Sequence, residues 1–252
     1  MWYFFDDNKV TEYQDYTSYI HQNAYILLYE QDPHNQITHP SNNTSLPTPN
    51  PSTFPQIPNL RNTQWLNDET INTYIQLLQS HADNRCGSHR IHFFTSFFYT
   101  KLALSPDFSY SNVKNWKSIR NIDIFQLDKL VFPIHYETNH WILVLIELGQ
   151  NKIHVYDSYH GAHTEIFQEF RNYLQLHHMH TKQGQQFRIT DWTNIDHSDI
   201  PKQTNGYDCG VFTLQYAHCI ANDQHITCDQ QETSLLRQRI SNEIIYGYRH
   251  SN

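Results

Sequence analysis

Seven of the ten prolines fall in residues 32–58, at Pro33, Pro40, Pro47, Pro49, Pro51, Pro55 and Pro58, among Asn, Ser, Thr and Gln. Proline fixes φ and removes a backbone donor, and so polar a stretch cannot bury enough apolar area to offset the entropy of ordering it. The stretch is therefore expected to be a linker, which divides the chain into residues 1–31, 32–58 and 59–252. Only the third region is long enough for a full domain, since domains run to roughly 100–200 residues. The composition supplies its core: 38% of the 252 residues are hydrophobic and 14% aromatic, with only 7 Gly, so the apolar mass is largely Tyr, Phe, Leu and Ile.

Charge and cysteine content exclude several function classes. The chain carries 17 Lys+Arg against 25 Asp+Glu, a net charge of −8, and no basic block that could neutralise a run of phosphates, so nucleic acid is not an expected partner. No segment reaches 18 uninterrupted apolar residues and the N-terminus lacks a basic region followed by an apolar one. Neither a membrane span nor a secretory signal is expected, and the location is expected to be intracellular. Cys86, Cys209, Cys219 and Cys228 form no C-x-x-C pair and no disulfide framework. Reduced thiols are expected, any one of which is free to act as a nucleophile.

Residues 1–31 read as strand, loop, strand, with Ala24-Tyr25-Ile26-Leu27-Leu28-Tyr29 as the second strand. From Asn59 the pattern is α+β. Asn67 or Asp68 can cap a helix in which Ile71, Tyr74, Ile75 and Leu78 recur at helical spacing. Leu130–Ile134, Trp141–Leu148 and Lys152–Asp157 read as neighbouring strands of one sheet. A helix with Ile166, Phe170, Tyr173 and Leu174 on one face follows, then a strand over Gln186–Trp192. Val211, Leu214, Gln215 and His218 share a face of a helix starting near Cys209, and a last helix carries Leu236, Ile240 and Ile244.

The sharpest local signal is Gln203-Thr204-Asn205-Gly206-Tyr207-Asp208-Cys209-Gly210-Val211-Phe212. A thiol between a Gly-bearing turn and a helical apolar run sits at a helix N-terminus, where unsatisfied N–H groups favour a thiolate. Gly206 and Gly210 suit a backbone that turns tightly beside a substrate. Gln203 offers an amide donor to an anionic tetrahedral intermediate. Such a nucleophile also needs an imidazole, and His140 opens an apolar strand, at its edge rather than deep within it. Asp157 ends the next strand run, so a hairpin around Gly149-Gln150-Asn151 would bring His140 and Asp157 side by side, with the register left open.

Singly, each residue has a plainer reading: a cysteine before an apolar helix is more often packing, and an aspartate at a strand end is more often a turn residue. Joint occurrence in the order His, Asp, Gln, Cys changes the balance. Cys86-x-x-His89-x-x-His92 and His177-His178-Met179-His180 imitate metal spacing, but 18 His produce such clusters by composition. No metal and no cofactor are expected. Cys219 and Cys228 read as structural.

With these residues in place, the chain from about 60 to 248 resembles the ubiquitin-like-protease family of cysteine peptidases, specifically its SUMO (sentrin)-specific members. The resemblance is carried by Trp65-Leu66-Asn67-Asp68-Glu69, Phe97-Phe98-Tyr99-Thr100-Lys101-Leu102, Asp123-Ile124-Phe125 before Leu130–His135, His140-Trp141, Tyr156-Asp157-Ser158 and Gln203-x-Asn205-Gly206-x-Asp208-Cys209-Gly210. It implies a papain-like α+β fold with a central mixed sheet flanked by helices, a Cys209–His140–Asp157 triad and Gln203 in the oxyanion hole. It further implies that Trp65 and Trp141 roof and floor a tunnel for a Gly-Gly tail and that Asp68 meets a basic residue on the modifier. Two indole faces can enclose a strand without side chains, so diglycine would be selected by steric exclusion. The expected partners are SUMO and its conjugates, met by a monomer, and nuclear residence is an expectation from the family.

Trp2–Thr11 with Ala24–Tyr29 carries a second resemblance, to the C-terminal end of a ubiquitin-specific protease catalytic domain, in which the position of Asp6 belongs to the triad. The Cys and His boxes of such a domain do not precede it here, so the segment is expected to be a non-catalytic remnant or a gene-model artefact; the plainer reading is a strand pair docked on the protease. Three alternatives stand beside the main functional reading. The neddylation modifier or ubiquitin could be the substrate, acetyl transfer could use a similar His–acid–Cys set, and a silent module could merely capture modifiers.

Overall fold

A computed structural model describes residues 2–6, 9–13, 60, 63–85, 90–103, 109–137, 139–183 and 186–247. The chain divides into two units, Met1–Pro51 and Ser52–Asn252. In the first, strands β1 (Trp2–Asp6) and β2 (Lys9–Tyr13) pair antiparallel with Asp6 opposite Lys9. The strand expected at Ala24–Tyr29 lies outside the described residues, and β2 was not anticipated because its Lys-Val-Thr-Glu-Tyr sequence has a single aliphatic residue.

The second unit is built on a five-stranded mixed sheet in chain order: β3 (Ile91–Phe93), β4 (Lys129–Tyr136), β5 (His140–Glu147), β6 (Lys152–Tyr156) and β7 (Thr193–Asp196). The pairs β4–β5 and β5–β6 are antiparallel, whereas β3–β4 and β6–β7 are parallel. Side chains on β5 alternate between faces. Trp141, Leu143 and Leu145 enter one core with helices α1 (Asp68–Asp83), α4 (Cys209–Ala221) and α5 (Thr233–Tyr246). Ile142, Val144 and Ile146 enter a second core with α2 (Phe97–Ala103) and α3 (Thr164–Thr181). Both faces of the sheet are thus covered, which is why β5 reads as a continuous apolar run. Pro133 is tolerated in β4 because β3 pairs only with Lys129–Val131, leaving the proline's outer side free of a ladder.

The α+β class, the central mixed sheet and the helices around it agree with the reading of the sequence. The Asn67 side chain caps α1 by accepting from Thr70 N at 3.0 Å, and Ile71, Tyr74, Ile75 and Leu78 are all buried. Two expectations are corrected. Gln186–Trp192 holds no described strand: Ile189–Asp191 is a 3-10 turn, and β7 begins at Thr193. Arg171 on α3 donates to the carbonyls of Ile189 and Trp192 and to Asn194 Oδ1, taking acceptors a strand would have used. The other correction concerns α4, which is buried on nearly every side rather than along one face, with His218 its only half-buried member.

Candidate active site

The site grows from the end of the β5–β6 hairpin. Tyr156 stands opposite Leu143, and Asn151 turns the chain with a left-handed φ of 53°. His140 therefore begins β5 beside the residue that follows β6, and His140 Nε2 lies 2.6 Å from Asp157 Oδ1. The Asp157 carboxylate also accepts from Tyr159 N at 2.8 Å and from Gly161 N at 2.8 Å. Gly161 is required there: a Cβ at this position would sit 2.9 Å from Asp157 Oδ2. The neighbouring His160 takes a left-handed φ of 58°, and its Nε2 lies 2.9 Å from Ile200 O.

With Nε2 committed to Asp157, the other ring nitrogen of His140 is left over. Nδ1 is buried and makes no geometrically good hydrogen bond, and the Cys209 sulfur is the neighbour that acts on the ring. Catalytic hydrogen bonds are often poorly aligned until a substrate tightens the site. Burial lowers the proton affinity of His140, but Asp157 and Cys209 outweigh it and raise the pKa to about 9. Burial likewise raises that of Asp157, but the two neighbouring imidazoles, His140 and His163, and the two backbone donors bring it well below the ordinary carboxylate range. This carboxylate is ionised at any physiological pH.

Cys209 is the first residue of α4 and only 2% exposed. The next residue packs tightly on the core: a Cβ on Gly210 would fall 2.9 Å from Leu66 Cβ. The loop before it is held by a buried charge pair. Arg237 on α5 reaches Asp208 Oδ1 through NH2 at 2.6 Å and Nε at 3.0 Å, and donates to Gln64 O at 2.8 Å. Asp208 Oδ2 accepts from Asn205 at 2.7 Å and Gln230 at 2.8 Å, while Asn205 Oδ1 receives the backbone N–H groups of Tyr207 and Asp208.

Gln203 is buried, and its amide orientation is fixed by its neighbours: Oε1 accepts from Ser158 Oγ at 2.5 Å and Nε2 donates to Asn205 O at 2.6 Å. One Nε2 hydrogen is left for another acceptor. Gln203 N also donates to Ser158 O at 3.0 Å, so the segment after Asp157 and the segment before Cys209 are joined directly. Tyr159 adds a second link, stacking on the His140 ring at 4.6 Å between centroids while its hydroxyl donates to Asn205 O at 2.9 Å.

The expected substrate-side residues differ in exposure. Trp141 is 4% exposed and its Nε1 donates to Leu66 O at 2.9 Å, whereas Trp65 is 45% exposed. Asp68 is exposed in the first turn of α1, with Ser96 Oγ 3.4 Å from its Oδ1. Of the metal-like spacings, His92 pairs with Ser118 Oγ and His177 with the Tyr110 hydroxyl, while Cys86 and His89 lie outside the described residues. Cys219 and Cys228 are buried, and burial raises both thiols, Cys228 to about 12. Cys228 is thus a core residue, in keeping with a structural role. A cavity of about 500 Å³ between Gln79, Arg85, Arg90 and His92 is lined by none of the four residues His140, Asp157, Gln203 and Cys209.

Four residues of the site went unassigned in the sequence. Asp208 and Ser158 sit inside motifs that carry the resemblance but were given no role, and Tyr159 follows Ser158 with no distinguishing pattern. Arg237 looks like one more charge on an amphipathic helix, and only its burial at 3% side-chain exposure reveals otherwise.

The family profile described as "Ulp1 protease family, C-terminal catalytic domain" matches residues 64–248. Among curated proteins, the chain is 35% identical over 192 residues to Sentrin-specific protease 2 of Homo sapiens, covering 75% of this chain and 31% of that protein. It is 33% identical over 181 residues to a sentrin-specific protease of Caenorhabditis elegans, covering 72% and 25%. The chain thus spans about a quarter to a third of the length of these relatives. A solved structure of the C-terminal Ulp1 protease domain in complex with Smt3, the yeast ortholog of SUMO, superposes with a TM-score of 0.62 at 26% identity, covering 75% of this chain and 80% of that one. A profile match over this much of the sequence, and relatives this similar over about three quarters of it, settle the family: the chain belongs to the Ulp1 protease family.

Proposed function

We propose that the chain is a cysteine peptidase and isopeptidase that cleaves after the C-terminal diglycine of SUMO, in precursor processing and in deconjugation. The observation that carries this reading is the His140–Asp157 pair at 2.6 Å, with the free Nδ1 on the Cys209 side of the ring. In this mechanism the imidazolium at 140 and the thiolate at 209 form an ion pair. The sulfur attacks the carbonyl carbon of the second glycine, and the oxyanion is met by the spare Nε2 hydrogen of Gln203 and by backbone N–H groups at the start of α4. His140 passes its Nδ1 proton to the leaving amine, a thioester forms, and water activated by the then neutral His140 releases the modifier.

The depth of Cys209 supports a tail without side chains. Cys209 is only 2% exposed, and we take its sulfur to be reached through a narrow approach. In the proposal Trp65 and Trp141 form the two walls of that approach, and exposed Asp68 pairs with a basic residue on the modifier's folded surface, where most of the binding energy arises. Nuclear residence and a monomeric state belong to the same proposal and rest on the resemblance to SUMO-specific members. The test is turnover of three substrates, each a modifier joined through its diglycine to a reporter: SUMO, ubiquitin and the neddylation modifier. Cleavage of SUMO, lost in Cys209→Ala, is expected; cleavage of ubiquitin alone would overturn the assignment.

A further inference from the structure

Asp157 is bound by two histidines. Besides His140 on Oδ1, His163 Nε2 lies 3.2 Å from Oδ2, and the other nitrogen of His163 lies 2.9 Å from Asp196 Oδ1 on β7. His163 is 2% exposed and stands at the residue preceding α3. Both of its nitrogens therefore face carboxylate oxygens, which only accept hydrogen bonds. A neutral ring would turn a lone pair against one of them, so the arrangement calls for the doubly protonated ring.

We infer that His163 is a positioning residue for the proposed reaction, an imidazolium that holds the Asp157 carboxylate in line with His140 and offsets part of its charge, so limiting how tightly His140 keeps its proton. The inference rests on the triad reading above. His140 must hold a proton to pair with the thiolate and must then release it to the leaving amine. A buried carboxylate answered by one imidazole alone would favour retention; a second cation on the far oxygen moderates it.

The surroundings of His163 agree with a charged ring. Burial, and the positive end of α3, disfavour the cation. Asp157 and Asp196 outweigh burial and raise its proton affinity above the ordinary value. From β4, the Tyr136 ring meets His163 edge-on at 5.7 Å. The Tyr136 hydroxyl is kept protonated, first by burial and then by Glu137, Glu165, Asp157 and Glu169. His140 itself is faced by Asp157, Cys209 and the Tyr159 ring.

The test follows alkylation of Cys209 by iodoacetamide across pH, read by peptide mass, beside SUMO-reporter cleavage over the same range, in the full chain. In the unaltered protein the alkaline step reports loss of the His140 proton. His163→Gln keeps one donor to Asp157 and removes the charge. The alkaline step is then expected to move up by roughly half a pH unit to one unit, about a three- to tenfold rise in proton affinity. Asp196→Asn, at a half-exposed carboxylate, is expected to move it the same way by less, and to add nothing to His163→Gln. Nitrogen-15 NMR of the unaltered protein at neutral pH should find both His163 nitrogens protonated.

A rate that falls evenly at all pH values with the step unmoved in both variants, or an unprotonated nitrogen on His163, would overturn the inference. If the step moves but no SUMO is cleaved, the substrate reading fails and the positioning role stands. If SUMO is cleaved and the step stays, the reverse holds. An alkylation profile in the unaltered protein without a His140-dependent step overturns both.

Discussion

The two halves of the site are assembled by different physics. His140 and Asp157 come from adjacent antiparallel strands, so their meeting follows from hairpin register and is fixed by the alternation of β5 between two apolar cores. Gln203 and Cys209 come from a loop and a helix start whose shape depends on polar contacts from distant chain segments, above all the buried Arg237–Asp208 pair. Ser158 and Tyr159 join the halves. The strand half is specified by many small apolar contributions and the loop half by a few large polar ones, so single substitutions should damage the loop half more.

The largest expected effect is at Arg237. Removing one partner of a buried ion pair leaves the other charge unanswered, so Arg237→Ala should destabilise the fold by about 3–5 kcal/mol in chemical denaturation. It should also displace the loop before Cys209, because Arg237 holds Gln64 O as well as Asp208. A loss below about 1 kcal/mol, in the range of exposed pairs, would mean that the loop half is no more dependent on charge than the strand half. Next comes Gln203→Ala, expected to raise the barrier by about 2.7–4 kcal/mol, a rate loss of at least a hundredfold, with SUMO binding largely retained. Full activity in that variant would show Gln203 to be a structural link only.

The smallest expected effect lies at the joint. Tyr159→Leu removes an aromatic stack on His140 and a hydroxyl bond to Asn205 O, contributions of about 0.5–1.5 kcal/mol each. Most of this goes into holding the joint rather than into the barrier, so activity should drop a few fold, with the two halves still assembled. A loss as large as that of Gln203→Ala would move Tyr159 from a supporting contact to a main determinant of the site.

The same contrast sets what could be read in the sequence. His140 and Asp157 were legible because each marks the end of an apolar strand run, and the α1 cap and its buried residues followed from spacing alone. Cys209 and Gln203 were legible through their motif. The hydrogen bonds that hold them were not, because Arg237 lies 29 residues beyond Asp208 in the chain and nothing local marks it as buried. His163 was hidden for a similar reason: the residue that gives it meaning, Asp196, sits on a parallel strand that the sequence placed several residues early, at Gln186–Trp192. Strand β7 escaped because three of its four residues are polar and Arg171 side-chain bonds, not an apolar face, hold the approach to it.

A panel of SUMO, ubiquitin and the neddylation modifier, each carrying an electrophile in place of its C-terminal carboxylate, tests the convergence of sulfur, imidazole and carboxylate most directly. Incubated with the chain and mapped by peptide mass, SUMO should form a covalent adduct on Cys209, and neither Cys219 nor Cys228 should react. An adduct on either of those buried thiols, or none on Cys209, would contradict a nucleophile at the start of α4.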